Sequence, residues 1–180
     1  LEHGCHVLCE KPPAIKASDA KRMQEQAEKM GSVLAYNFHH RFAEDVGIIK
    51  TAYEQNELGE VYVIKVKALR RCGIPGWGFF TNKDLQGGGP LIDIGIHMLE
   101  TAMFILNYPE IKKVTATSYQ KIGKQKNTGT LGTWDPEKFE VEDSVFAFIE
   151  LENGATIILE TAFALNIKEE SIMNIELLGD

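Results

Sequence analysis

A glycine-led helix start between residues 87 and 97 constrains the fold of this chain more than any other feature. Its sequence is GGGPLIDIGIH. The three glycines give the backbone unusual freedom, and Pro90 suits a first helical position because its missing N–H would be unpaired there anyway. We therefore predict a helix from Pro90 to about Leu106. Such a start also indicates that something approaches the backbone of the glycines closely.

The acid and the histidine in this segment are candidates for chemistry. Asp93 and His97 are four residues apart, so an α-helix places both side chains on one face. Their neighbours are nearly all apolar, and a polar pair in such surroundings must be satisfied locally or used in a reaction. Histidine titrates close to neutral pH, so His97 can take a proton from an alcohol while Asp93 orients it. The alternative is a helix pair buried for packing.

Two different patterns divide the chain. Residues 1–36 follow the order strand, helix, strand, as in the last piece of a parallel α/β domain, with Ser18 as the predicted helix cap. Residues 37–180 contain a helix, a strand over 61–69, a second helix and then strands only, of which 144–151 and 155–163 are joined by an Asn153-Gly154 hairpin signal. In the strand over 61–69, apolar and charged residues alternate: Tyr62, Ile64, Val66 and Ala68 fall on one face, and Lys65 and Lys67 fall on the other. We predict an α+β domain whose large, open, mainly antiparallel sheet carries helices on one face. Both ends of the sequence look cut, so we expect a fragment of a longer protein, truncated within the second domain.

Composition excludes several classes of function. The net charge is −7 and no basic stripe is present, which argues against nucleic-acid binding. No apolar stretch reaches the roughly 18 to 20 residues of a membrane helix. The three cysteines have neither zinc-type nor disulfide-scaffold spacing, so we expect reduced thiols and a cytoplasmic protein. Asp93, His97 and Glu100 could join His39 or His40 around a metal, but no His-x-x-x-His or Cys-x-x-Cys spacing supports this, and we predict no metal.

Two cations are further candidates. Lys11 follows the first predicted strand, and ligands of open α/β sheets bind at the carboxyl ends of strands. Lys11 can therefore hydrogen-bond a substrate hydroxyl, although a surface lysine in a turn is the alternative. Arg41 could contact an anionic substrate or a cofactor phosphate, with a solvated or ion-paired arginine as the alternative. We expect Lys11 and His97 to converge on a single cleft.

Three separated motifs, in this order, resemble the Gfo/Idh/MocA family, the group of glucose–fructose oxidoreductase and inositol dehydrogenase. The first is the strand HVLCEKP at residues 6–12. The second is the glycine-led helix with Asp93 and His97. The third is Val141-Glu142-Asp143 followed by Asn153-Gly154-Ala155. The resemblance covers nearly the whole chain and implies the tail of an N-terminal Rossmann domain before a C-terminal domain with a large open sheet.

The resemblance also implies an activity. Family members move hydride between NAD or NADP and a sugar, polyol or similar alcohol. It implies that Lys11 contacts the substrate near the nicotinamide, that His97 is the general acid/base, and that Asp93 positions substrate and His97. Glu10, Lys11 and Pro12 would line the cofactor side, and Arg41 would contact the substrate.

The resemblance further implies a homo-oligomer. In the family the exposed face of the sheet commonly makes the contact between subunits. Here that contact would bury the apolar faces of residues 145–151 and 155–163. Two other functions stay open: an NAD-dependent glycoside hydrolase of the same fold, and a non-catalytic sensor or oligomerisation subunit.

We predict that the 180 residues, on their own, bind the nicotinamide cofactor weakly. The family's Gly-x-Gly-x-x-Gly loop has no counterpart among them, and without it the pyrophosphate lacks its cradle. We expect these 180 residues alone to bind NAD(P) less tightly than micromolar and to show no turnover. Isothermal titration calorimetry measures the affinity, and a micromolar dissociation constant would contradict the prediction.

Overall fold

The computed structural model describes residues 1–126 and 129–180. It divides into two compact units, Leu1–His39 and His40–Asp180. The division that we predict from the sequence falls three residues earlier. In the described part of the chain, no helix combines the length and the hydropathy needed to cross a bilayer.

The first unit is a strand–helix–strand. Strands β1 (Val7–Cys9) and β2 (Leu34–Tyr36) are parallel, and helix α1 (Ala17–Met30) connects them. The helix ends at Gly31, whose φ of 60° is the left-handed conformation that favours glycine. The predicted cap at Ser18 is wrong. The N–H groups of Asp19 and Ala20 bond to the carbonyl of Lys16, so the helix starts before Ser18.

The second unit is built on a five-stranded sheet with the order β4-β5-β6-β3-β7. Its strands are β3 (Val63–Arg70), β4 (Ile111–Tyr119), β5 (Ser144–Leu151), β6 (Thr156–Ala162) and β7 (Ser171–Leu178). Strands β3 and β6 are parallel, and the other neighbouring pairs are antiparallel. The predicted mainly antiparallel sheet is therefore confirmed.

The helices of the second unit are α2 (Glu44–Glu54), a short α3 (Lys83–Gln86) that the sequence did not predict, and α4 (Ile96–Ile105). Helix α4 lies against strands β3 and β7, and α2 packs against α4. One turn of π-helix, Leu91–Gly95, precedes α4. The prediction of a regular α-helix from Pro90 is wrong for this first turn.

Strict alternation separates the two faces of β3. Ile64, Val66 and Ala68 are fully buried beneath the helices, whereas Lys65 and Lys67 lie on the opposite face. Tyr62, predicted to share the inner face, is 52% exposed because it precedes the strand. The inner face of the sheet and the helices above it form a single core.

The opposite, open face of the sheet is mixed in polarity. Ion pairs join neighbouring strands across it: Lys65 with Glu176 (3.0 Å), Lys67 with Glu160 (3.5 Å) and Lys113 with Glu150 (3.7 Å). Its apolar members include Phe146, Phe148 and Ile158. The alternate apolar residues of β5 and β6 are already buried within the chain: Val145, Ile149, Leu151, Ile157 and Leu159. These buried residues therefore cannot take part in a contact between subunits. The predicted homo-oligomer contact through the exposed face of the sheet stays a prediction.

Candidate active site

The glycine run is approached closely by another segment of the same chain. A side chain at Gly89 would place its Cβ 2.0 Å from the carbonyl oxygen of Glu142. The N–H of Gly89 also donates to Oε1 of Glu142 at 2.9 Å. Gly87 ends α3 with a φ of 88°. The predicted close approach to the glycine backbone is therefore confirmed at Gly89, and the approaching group is the segment that leads into β5.

The π-helical turn is seated on strand β6. A Cβ on Gly95 would lie 2.9 Å from the hydroxyl oxygen of Thr161, so only glycine allows the helix to come this near the sheet. The Thr161 hydroxyl is buried and donates to the carbonyl of Pro90 at 3.2 Å. Single π-helical turns within α-helices frequently occur at functional sites. This one carries Asp93 and leads directly to His97.

Asp93 lies in the π-helical turn and His97 in the first turn of α4, and a shared face for their side chains stays a prediction. Asp93 is only 7% exposed, and His97 in the first turn of α4 is partly buried. The His97 ring contacts that of His40 edge-on, with ring centroids 5.1 Å apart and an interplanar angle of 64°. A buried carboxylate and an imidazole on one helical segment can accept and stabilise a proton taken from a hydroxyl group.

Arg41 is ion-paired within the second unit. It lies in a 3₁₀ turn, and its Nε donates to Oε1 of Glu100 at 2.7 Å, with a second, short contact from Nη2. Tyr108 donates its hydroxyl to the same oxygen. The ion-paired alternative is therefore observed, and substrate contact by Arg41 stays a prediction.

The carboxylate of Glu100 dominates the electrostatics of this cluster. Its hydrogen bond with Arg41 raises the pKa of that guanidinium above its ordinary value. Burial, and then the hydrogen bond to Glu100, raise the pKa of Tyr108 to about 12. From the sequence, Glu100 is a candidate only as a metal ligand. A charged residue inside an otherwise apolar helix was the signal for this cluster, because such charges are seldom buried unpaired.

The Glu142-Asp143 part of the third motif has a structural role. Asp143 is 1% exposed, and its Oδ2 accepts the backbone N–H groups of Lys121, Ile122 and Gly123 at 2.6, 2.6 and 2.9 Å. Its Oδ1 accepts the hydroxyl of Ser144. Asp143 thus anchors the segment that follows β4 to the start of β5.

Replacing Asp143 with alanine should destabilise the protein by about 3 kcal/mol or more, because three backbone donors lose a charged acceptor. Asp143→Asn keeps an acceptor oxygen and should lose less. Urea unfolding of both variants measures the difference. Equal stabilities for wild type and Asp143→Ala would contradict this role.

The predicted cofactor-side residues lie in the first unit. Glu10, Lys11 and Pro12 follow the carboxyl end of β1, as expected. The side-chain amide of Asn37, just after β2, donates to Oε1 of Glu10 at 2.7 Å. This hydrogen bond holds the pKa of the Glu10 carboxyl below its ordinary value. The carboxyl ends of the two parallel strands are thereby tied together.

A groove of about 580 Å³ flanks α4 in the second unit. Its walls are mainly apolar, including Leu91, Ile96 and Leu99 from the helical segment and Val145 from the sheet. Neither Asp93 nor His97 lines it. The groove is therefore separate from the candidate catalytic pair.

Two family models match the chain. The GFO/IDH/MocA C-terminal domain matches residues 48–180, and the oxidoreductase family with an NAD-binding Rossmann fold matches residues 1–38. The chain belongs to the GFO/IDH/MocA family. The recognition made from three motifs is thus confirmed, including the tail of a Rossmann domain.

Named relatives of this GFO/IDH/MocA protein include sugar dehydrogenases. It is 58% identical over 180 residues to D-glucoside 3-dehydrogenase of Escherichia coli strain K12, covering 100% of this chain and 51% of the relative. It is 26% identical to glucose-6-phosphate 3-dehydrogenase of Bacillus subtilis strain 168, covering 97% of this chain and 48% of that protein. The chain spans about half the length of these curated relatives.

Solved structures show the same fold. GenD2 from gentamicin A biosynthesis, in complex with NAD, is 27% identical with a TM-score of 0.81, over 99% of this chain and 46% of that one. Levoglucosan dehydrogenase, in complex with NADH and levoglucosan, is 23% identical with a TM-score of 0.82, over 99% of this chain and 46% of that one. The α+β prediction for this GFO/IDH/MocA chain is confirmed.

Proposed function

We propose that this chain carries the catalytic part of an NAD-dependent dehydrogenase that oxidises a hydroxyl group of a sugar or polyol. The observation that carries the proposal is the buried Asp93 on a π-turn that leads directly into α4 and His97. The 58% identity to D-glucoside 3-dehydrogenase supports a D-glucoside as the first substrate to test.

In this proposal His97 is the base. The imidazole takes the proton from the substrate O–H, the carbon–oxygen bond becomes a carbonyl, and the hydride from the same carbon leaves with its electron pair. NAD supplies the acceptor for that hydride when bound. Asp93 stabilises the imidazolium that forms and holds its ring in place. Lys11 donates a hydrogen bond to the substrate oxygen, where negative charge develops.

The first unit fits one side of the nicotinamide cofactor. Glu10, Lys11 and Pro12 lie where the carboxyl ends of two parallel strands meet, which is where open α/β sheets bind ligands. Within this proposal, these residues line the cofactor and Lys11 also faces the substrate. The chain's own sequence holds no glycine-rich cradle for the pyrophosphate.

The experiment is an activity screen of the full-length protein with NAD and NADP. Glucosides, free sugars and polyols are supplied in turn, and reduction of the nucleotide is followed by its absorbance. We expect NAD reduction with a D-glucoside. Release of free sugar without net nucleotide reduction would instead support the glycoside hydrolase, and no change with any substrate would contradict both enzymes.

Specificity, assembly and location are parts of the same proposal. We assign substrate choice to the loops at residues 70–86 and 123–140, of which Asn127 and Thr128 lie outside the described residues.

A homo-oligomer would form through the open face of the sheet, where Phe146 and Phe148 accompany the cross-strand ion pairs. We place the protein in the cytoplasm, consistent with its cysteine usage.

A further inference from the structure

The carboxylate of Glu100 is buried at an unfavourable position in α4. It is 8% exposed and lies one turn after His97. Its Oε1 accepts from Arg41 and Tyr108, whereas Oε2 is buried and makes no hydrogen bond to any described residue. Burying a carboxylate costs several kcal/mol unless it is fully paired, and an apolar side chain would pack here more cheaply. The charge therefore has a purpose beyond filling the core.

The Glu100 carboxylate holds the side chain of Arg41 in place. Its guanidinium is held by Glu100 and lies over the rings of Phe104 and Tyr108, with distances to the ring centroids of 5.5 and 5.6 Å. A planar guanidinium that is hydrogen-bonded to a carboxylate and packed against two aromatic rings has little conformational freedom. The 3₁₀ turn that carries Arg41 is thereby anchored to α4 and to the residues that follow it.

The same turn carries His40. His40 precedes Arg41, its carbonyl accepts from the N–H of Ala43 at 3.1 Å, and its ring meets the His97 ring edge-on at 5.1 Å. A ring in this place limits how far the His97 imidazole can rotate. Orientation matters for a base, because a displacement of about 1 Å can reduce a rate by about 10²-fold.

We propose that Glu100 is a positioning residue for the base: by anchoring Arg41 it fixes the His40 ring, which holds the His97 imidazole in its working orientation. The proposal rests on the proposed function of His97. Glu100 itself touches no reacting atom. Its removal should therefore lower the rate of the chemical step more than it weakens substrate binding.

Lys50 offers a matched control, because it ties α2 to the helix that carries Glu100. Its ammonium group, on α2, donates to the carbonyl of Phe104 at 3.0 Å and to Oδ1 of Asn107 at 2.6 Å, and it pairs with Glu54. Like Glu100, it ties another element to α4, but at the end of α4 far from His97. Its ammonium also lies 4.6 Å from the centroid of the Phe104 ring, on which Arg41 packs as well. Lys50→Met therefore controls for a change beside Arg41 that spares the hydrogen bonds of Arg41 to Glu100 and the residues of the His40–His97 contact.

The kinetic test compares Glu100→Gln with Lys50→Met in the full-length protein. We expect Glu100→Gln to lower kcat by about tenfold to thirtyfold with KM changed less than about twofold, as for a misoriented base. Lys50→Met should lower Tm while kcat stays within about twofold. Equal kcat values for Glu100→Gln and wild type, or equal losses in both variants, would overturn the proposal.

Two variants of His40 cover the case in which Glu100→Gln does not fold. His40→Phe keeps a ring against His97 and should retain most of kcat. His40→Ala removes the ring and should reproduce the kcat loss expected of Glu100→Gln. If His40→Ala turns over like wild type, the ring does not position His97 and the proposal fails.

Histidine-ring NMR separates this proposal from the proposed function. In long-range ¹H–¹⁵N spectra, with assignments from the His40 variants, Glu100→Gln should shift the ring signals of both His40 and His97, and Lys50→Met should leave them unchanged. This readout needs no turnover. Absence of dehydrogenase activity in wild type would refute the proposed function alone, whereas unchanged ring signals in Glu100→Gln would refute the positioning role.

Discussion

Replacing His97 with alanine in the full-length protein should lower kcat by about 10²- to 10⁴-fold, the range for loss of a general acid–base group. The proton of the substrate hydroxyl then loses the imidazole that accepts it in the proposed reaction. Because the imidazole acts on the reacting bond, kcat and kcat/KM should fall together. Steady-state kinetics with the best substrate from the activity screen measures both.

The controls for this experiment separate chemistry from folding. His97→Gln keeps a polar side chain in the same place and should lose kcat to a similar degree. His3→Ala removes an exposed histidine of the first unit and should keep kcat within about twofold, as surface changes usually do. A kcat loss below tenfold would show that His97 is not the base.

Gly89→Ala should have a large effect on stability. The added Cβ would lie 2.0 Å from the carbonyl oxygen of Glu142, which belongs to the backbone and cannot rotate away. Forcing side chains into a packed core costs about 1–3 kcal/mol, and a clash with backbone costs at least the upper part of that range. The hydrogen bond from Gly89 N–H to Glu142 would also be strained. We expect a loss of about 3 kcal/mol or more, a large share of the 5–15 kcal/mol of a typical domain.

Gly88→Ala is the matched control for this change. Its Cβ would meet Ile92 and the Glu142 carboxylate at 3.5 to 3.7 Å, which are ordinary contacts. We expect the free energy of unfolding to change by less than about 0.5 kcal/mol. Urea denaturation of both variants gives the comparison. Similar stabilities for the two would show that the close approach at Gly89 has no energetic consequence.

The local parts of the fold were determined by the sequence itself. Strand β5 spans Ser144–Leu151 in prediction and structure, and the hairpin after it turns at Gly154 with a φ of 90°. Alternation of apolar and charged residues predicted the inner and outer faces of β3. The motifs around Asp93 and His97 identified the family and the helix that carries the candidate pair. These features depend on residues that are close together in the chain. Their periodicity and turn residues can be recognised without knowing which distant segments they contact.

Contacts between distant segments were decided only by the tertiary structure. Strands β3 and β6 are parallel neighbours although more than eighty residues separate them. The π-turn forms where Gly95 meets Thr161, and Glu142 reaches back to Gly89. Glu100 binds Arg41 from 59 positions away. Nothing in the sequence near any of these residues specifies its partner, because which side chains meet depends on how the sheet and its helices pack as a whole.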